Sequence, residues 1–186
     1  MSEIRANRIE PLEAPYNDEV QDCFNVVMPE GMAPLNIFRT MAHNPRVLSR
    51  MVQGGLLDRG SISVADRELV ILRSCAVCKA EYEWGVHVAI FAEQAGFSEA
   101  QIADTCANTV EVSLWSDSQQ LLLALADELH AQQKVSAGLW QSLAGHYSAE
   151  QLVELVMLAG FYHAVSFVVN AFEIEHEAFA PRFPQG

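Results

Sequence analysis

Apolar residues recur along this chain at helical spacing. Leu121, Leu122, Leu125 and Leu129 fall on one face of a helix, as a core stripe does. No segment sustains a two-residue alternation bounded by turn dipeptides, so the pattern supports no sheet. Helix starts are marked by Ser63-x-x-Asp66, Ser98-x-x-Gln101, Ser116-x-x-Gln119 and Ser148-x-x-Gln151, in which a serine hydroxyl and a later side chain serve the first free amides. Gly60, Gly96 and Gly145 read as stops. The pattern predicts helices over 17–27, 33–42, 45–57, 64–78, 81–95, 99–107, 117–133, 137–145 and 149–178. The fold class is all-α, a compact bundle with a long buried C-terminal helix.

That last helix invites a membrane reading, because Leu152 to Phe172 is rich in Leu, Val, Ala and Phe. Glu154, His163, Ser166 and Asn170 interrupt it, and its flanks are acidic. A bilayer span disfavours such groups, so a core helix is expected. A helix apolar on most faces belongs at the centre of a bundle or in an oligomer interface.

Composition narrows the function classes. The chain has 186 residues, 51% hydrophobic and 19% charged, the profile of a single globular domain over 1–186. Residues 1–15 and 181–186 carry prolines and read as arms, and the core motif spans about 64–97. Eleven Lys and Arg against 24 Asp and Glu give a net charge of −13, which opposes nucleic acid and anionic membranes alike. Four cysteines, Cys23, Cys75, Cys78 and Cys106, are too few for a disulfide scaffold. The opening run MSEIRANRIEPLEAP lacks the apolar core of a secretory signal, so a cytoplasmic protein is expected.

The chemistry concentrates in RELVILRSCAVCKAEYEWGVH, Arg67 to His87. Glu83 and His87 stand at i, i+4 on one helix face, and Glu68 lies on the preceding helix, which can fold back beside them. A carboxylate beside an imidazole raises its proton affinity and orients it for acid–base work. An ordinary surface pair has the same spacing, but Tyr82 and Trp84 around Glu83 point to a partly buried setting.

This segment resembles the carboxymuconolactone decarboxylase and alkylhydroperoxidase D superfamily. The redox branch of that family carries Glu-x11-Cys-x-x-Cys-x-x-x-His; Glu68 and His87 keep its outer spacing, while Ala80 and Glu83 stand at its cysteine positions. The decarboxylase-like branch reads Tyr-Glu-Trp-x-x-His, which Tyr82 to His87 match at every fixed position. The likeness extends over about 45–175, through Gly96 to Ser98 and the Tyr162–Asn170 stretch. It implies a pocket between helices 64–78, 81–95 and the last helix. Glu68 and His87 would be the acid–base pair, Glu83 would tune the imidazole, Tyr82 and Trp84 would form walls, and Asn170 would supply a hydrogen bond. A substrate carboxylate would need a cation, with Arg73 and Arg39 as candidates. The resemblance also implies a homodimer, trimer or hexamer acting on a small molecule, a carboxylate or lactone, without a cofactor.

Cys75 and Cys78 form a Cys-x-x-Cys five residues upstream of the redox register. Their place near a helix C-terminus disfavours a thiolate, so small core residues are the plainer reading and a thiol peroxidase the alternative. A catalytically silent binding oligomer is a third. Cys23 and Cys106 read as core, and His43, His130 and His146 as structural. His163, in an apolar helix, is expected either to line the pocket opposite His87 with Tyr162 and Asn170 or to bond a carbonyl at a subunit contact. His176 reads as a solvated end. Glu173-x-x-His176 is half of a di-iron pattern with no second half, so no dedicated metal is expected. No glycine-rich phosphate loop or Gly-x-Ser-x-Gly elbow is present.

Overall fold

The computed structural model describes residues 7–184. Among them are nine α-helices, one short 3-10 turn at Val112–Leu114, and no strand. The helices are α1 Asp18–Val27, α2 Asn36–Met41, α3 Pro45–Gly54, α4 Val64–Val77, α5 Glu81–Ala95, α6 Glu99–Asp104, α7 Asp117–Gln132, α8 Ala137–His146 and α9 Ala149–Phe172.

Helix α4 is the hub, packed against α5, α7 and α9. Every residue from Arg67 to Cys75 is buried, because neighbours cover the helix on all sides. Three of the buried side chains are charged, and each is paired. Arg73 forks onto Asp127 of α7 at 2.6 and 3.0 Å and donates from Nη1 to the carbonyls of Thr105 and Ala107. A buried guanidinium is tolerated on that condition. Arg67 and Glu68 pair with each other. A second apolar cluster, Val20, Cys23, Phe24, Ala42 and Leu48, joins α1 to α3.

The serine caps hold. Ser98, Ser116 and Ser148 form reciprocal capping boxes, and Ser63 caps α4 through the Asp66 amide. The stops are less glycine-dependent than the sequence suggests. Gly96 does end α5 in the left-handed conformation, φ 75°. Gly145, however, lies inside α8, and Gly60 lies in the loop after α3. Leu56, Lys79, Gln133 and Glu173 adopt positive φ where no glycine signals it.

Glu173, at φ 49°, therefore ends α9 at Phe172, six residues before the expected 178. Six other helices start later or end earlier than their sequence pattern: α1, α2, α3, α4, α6 and α7, by one to three residues. The tail after α9 turns back across α5: Tyr82 donates to Glu177 at 2.6 Å, Arg182 pairs with Glu81 and Phe183 packs on Trp84. The described part of the N-terminal arm lies against the same region, with Arg8 bonded to Phe172 and Glu173, and Leu12 held by Arg39. Residues 1–6 of that expected arm, and 185–186 at the other end, lie outside the described residues.

Helix α9 is long and apolar enough to cross a membrane, and it packs one face on α4, α5 and α8. The outer face is exposed along Val153, Met157, Gly160, Ala164, Phe167 and Ala171. These steps of four and three residues form a heptad seam.

Candidate active site

Helices α4 and α5 are joined by the three residues Cys78–Ala80, a turn that sets the helices side by side. Glu68 thereby reaches His87, nineteen residues later, with Oε2 2.7 Å from Nδ1. Glu83, one turn before His87, places Oε1 3.4 Å from Nε2. Arg67 donates from Nε to the other Glu68 oxygen at 2.8 Å. The order Arg67, Glu68, His87, Glu83 alternates in charge when the imidazole is protonated, so the set is neutral as a whole. Glu68, His87 and Glu83 are 1%, 3% and 8% exposed, which makes that balance a requirement of burial.

Burial alone pushes the His87 imidazole down. The charge and hydrogen bond of Glu68, with those of Glu83, outweigh it and lift His87 to about 9. At neutral pH the ring is thus an imidazolium that donates to Glu68 and is ion-paired with Glu83. Tyr162 meets it edge-on, ring centres 5.0 Å apart, and Phe91 lies 5.2 Å away on the next turn of α5.

The remaining oxygen of Glu83, Oε2, is buried and has no hydrogen-bond partner among the described residues. Glu83 lines a cavity of about 530 Å³ whose walls include Met51, Leu56, Phe91, Phe161 and Tyr162. The ionisable residues around it are Glu83, Asp58 and Tyr162, with no Lys, Arg or His. A carboxylate that lines an apolar cavity, with one oxygen paired to an imidazolium and the other without a partner, can serve as a proton acceptor. His87 and Glu68 stand behind it.

The other sequence candidates fall elsewhere. Tyr82 and Trp84, one residue either side of Glu83, point away from the cavity: Tyr82 accepts from the Ile37 amide and donates to Glu177, and Trp84 donates to Thr105. They anchor α5 and do not line the cavity. Asn170 donates to the Cys78 carbonyl, and His163 stands beside His130 and Cys78, so neither sits opposite His87. His163 does bond a carbonyl, that of Ala159. His176 is half-buried against Tyr82 and Glu81. Arg39 serves the N-terminal arm and Arg73 serves Asp127, and the cavity draws on neither.

Cys75 is fully buried and Cys78 partly so, and neither is in a disulfide. Burial first, then the Glu83 carboxylate, pushes the Cys75 thiol well up, and burial raises Cys78. Both remain protonated at neutral pH. Phe91, Phe161 and Arg67 are the contributors that sequence reasoning passes over. Phe91 had a signal, lying four residues after His87 on the same face.

Residues 45–127 match the Carboxymuconolactone decarboxylase family. No curated protein matches the chain. Among solved structures, an uncharacterized peroxidase-related protein from Silicibacter sp. TM1040 superposes with a TM-score of 0.80 at 18% identity, covering 99% of both chains. An alkylhydroperoxidase AhpD core protein from Ralstonia eutropha JMP134, also described as peroxidase-related, gives 0.73 at 18% identity over 93% of this chain and 95% of that one. A protein of unknown function from Agrobacterium tumefaciens gives 0.56 at 15% identity over 72% and 87%. The helix pair that carries Glu68, Glu83 and His87 thus lies inside the segment, residues 45–127, that matches the carboxymuconolactone decarboxylase family, on a fold similar to that of the two peroxidase-related proteins.

Proposed function

We propose that the protein is an acid–base enzyme that moves a proton at carbon, with Glu83 as the group that touches substrate. The observation that carries this reading is that Glu83, whose buried Oε2 has no partner among the described residues, lines an apolar cavity and is backed by His87 and Glu68. In the proposed step Oε2 removes a proton from carbon next to a carbonyl, and the electron pair moves onto the carbonyl oxygen. Glu83, now neutral, returns the proton to the same or a neighbouring carbon. The imidazolium paired with Oε1 holds the carboxylate in position beside the substrate.

The cavity favours a neutral, largely apolar lactone or ketone over an anion, since its charged residues are acidic. The lactone side of the sequence expectation fits these walls better than the carboxylate side. Deuterium wash-in tests the reading: neutral γ-lactones and ketones are incubated with the protein in heavy water and followed by NMR. Exchange at the α-carbon is expected, falling ~10²–10⁴-fold in Glu83→Gln with the fold retained. Equal exchange in that variant overturns the assignment of Glu83.

A second reading, thiol peroxidation, is favoured by Cys78 Sγ lying 3.5 Å from His130 Nδ1 and by the fold shared with peroxidase-related proteins. Here Cys78 as thiolate would attack the peroxide oxygen, releasing an alcohol, and Cys75 would displace water from the resulting sulfenic acid to give a disulfide. The burial of Cys75 and the raised thiols weigh against it. Counting free thiols by mass spectrometry, before and after one equivalent of an organic hydroperoxide, separates the two. Four retained thiols remove the peroxidase reading.

A further inference from the structure

Away from the cavity, three helices bring soft and borderline donor atoms to one point. Cys78 caps the end of α4, His130 stands in the last turn of α7, and His163 lies midway along α9. Sγ of Cys78 is 3.5 Å from Nδ1 of His130, which is 3.2 Å from Nε2 of His163. The three donor atoms all lie within 4.8 Å of one another.

With both imidazoles neutral, hydrogen atoms cannot make both close contacts of this cluster. His163 Nδ1 lies 2.8 Å from the Ala159 carbonyl, a contact that requires a hydrogen on Nδ1 and turns the lone pair of Nε2 toward the cluster. If His130 carries its hydrogen on Nδ1 it can donate to that lone pair, but it then offers Cys78 no acceptor. If Nδ1 is bare, two nitrogen lone pairs face each other at 3.2 Å. A cation accepts all three donors at once.

The spacing suits a tetrahedral ion. With zinc–sulfur bonds of about 2.3 Å and zinc–nitrogen bonds of about 2.0–2.1 Å, the edges of a tetrahedron are about 3.6 Å between S and N and about 3.3 Å between two N. Two of the three contacts match, and the third, Cys78 to His163, lies within 4.8 Å and would close by at most about 1.2 Å. The Ala159 carbonyl behind His163 is the outer-shell partner that metal-bound imidazoles use to fix their tautomer. Asn170 does the same for the Cys78 backbone, donating to its carbonyl at 2.8 Å.

We propose that Cys78, His130 and His163 form a binding site for a borderline-soft divalent cation of the zinc type, with a fourth position open to solvent. One thiolate and two neutral imidazoles select such an ion over magnesium or calcium, which take oxygen ligands. The site ties α4, α7 and α9 together on the side of α4 away from the Glu83 cavity.

Cobalt(II) tests it directly. The full chain, free of any affinity tag, thiol-reduced and chelator-treated, is titrated with cobalt(II) and followed by absorption. One equivalent is expected to give a sulfur-to-cobalt charge-transfer band with the intense visible bands of tetrahedral cobalt, and zinc is expected to displace it. Cys78→Ser should abolish the charge-transfer band, and His163→Gln should weaken binding on the order of tenfold or more. Cys106→Ser and His146→Gln, at positions outside the cluster, should leave the titration unchanged. A parent protein with no stoichiometric thiolate band overturns the proposal, as does a band that persists in Cys78→Ser.

Discussion

Glu68 and His87, on neighbouring helices, share a 2.7 Å hydrogen bond with both side chains almost fully buried. That contact makes the fold sensitive to alkali. The imidazole is raised from an ordinary value near 6.5 to about 9, so the native state holds a proton there that the unfolded chain releases earlier. This contribution is fully present below about pH 6.5 and is lost as pH rises through about 9. Urea unfolding at pH 6 and at pH 9.5 should show a loss on the order of 3 kcal/mol. Glu68→Gln removes most of the lift, and its stability should vary much less across that window. An unchanged slope in the variant would place the proton elsewhere.

Arg73 is the polar anchor of the hub helix. Arg73→Met keeps much of the volume but orphans the Thr105 and Ala107 carbonyls and the Asp127 carboxylate. Destabilisation of about 3 kcal/mol is expected by urea titration. Asp127→Asn should be milder, about 1 kcal/mol, because Asp127 is partly exposed and the amide oxygen still accepts from the guanidinium.

Gly85 is required for contact rather than for backbone freedom. A Cβ there would lie 2.3 Å from the Pro181 carbonyl oxygen. Gly85→Ala should therefore lift the C-terminal tail from α5 and destabilise by about 1–3 kcal/mol. Since Phe183 packs on Trp84, the change should also alter tryptophan emission and expose the tail to protease. A variant with parent melting temperature, emission and protease resistance would count against that contact.

The outer seam of α9 gives a prediction about assembly. Phe167, Val153 and Met157 are each more than 60% exposed, and their repeat suits a matching helix. We propose that a second copy of the chain covers them. Light scattering after size exclusion should report at least a dimer at micromolar concentration, and Phe167→Glu should shift it toward the monomer. A monomeric parent overturns the proposal.

The helices were legible because their signals are local. A serine cap and a 3.6-residue stripe act within one or two turns, and α4, α5, α7, α8 and α9 begin where those signals place them. The ends were less legible, because Gln133 and Glu173 take a conformation for which glycine is the recognisable mark. In the site, Glu68, Glu83 and His87 could be grouped by spacing and resemblance, and the fold brings them together. The direction of each side chain could not be read in the same way. Tyr82 and Trp84 share a hexapeptide with Glu83, but a helix turns about 100° per residue, which carries them to other faces. His163 stayed between two readings, a pocket wall or a carbonyl partner, for a related reason: its neighbours Cys78 and His130 come from distant positions that no local pattern links.

The short turn Cys78–Ala80 has a consequence for how chemistry and selectivity are divided along the chain. Arg67, Glu68, Glu83 and His87 all belong to one helical hairpin, whose pairing closes only a small loop. Apart from Phe91, the cavity walls instead come from remote stretches, Val26 to Asp58 and Phe161 to Val165. The proton-handling cassette is therefore a nearly self-contained module, while the shape it serves is written elsewhere. Substitutions at Met51, Leu56 or Phe161 can retune which molecule fits without touching the charges, so this architecture allows one acid–base unit to be fitted to many substrates.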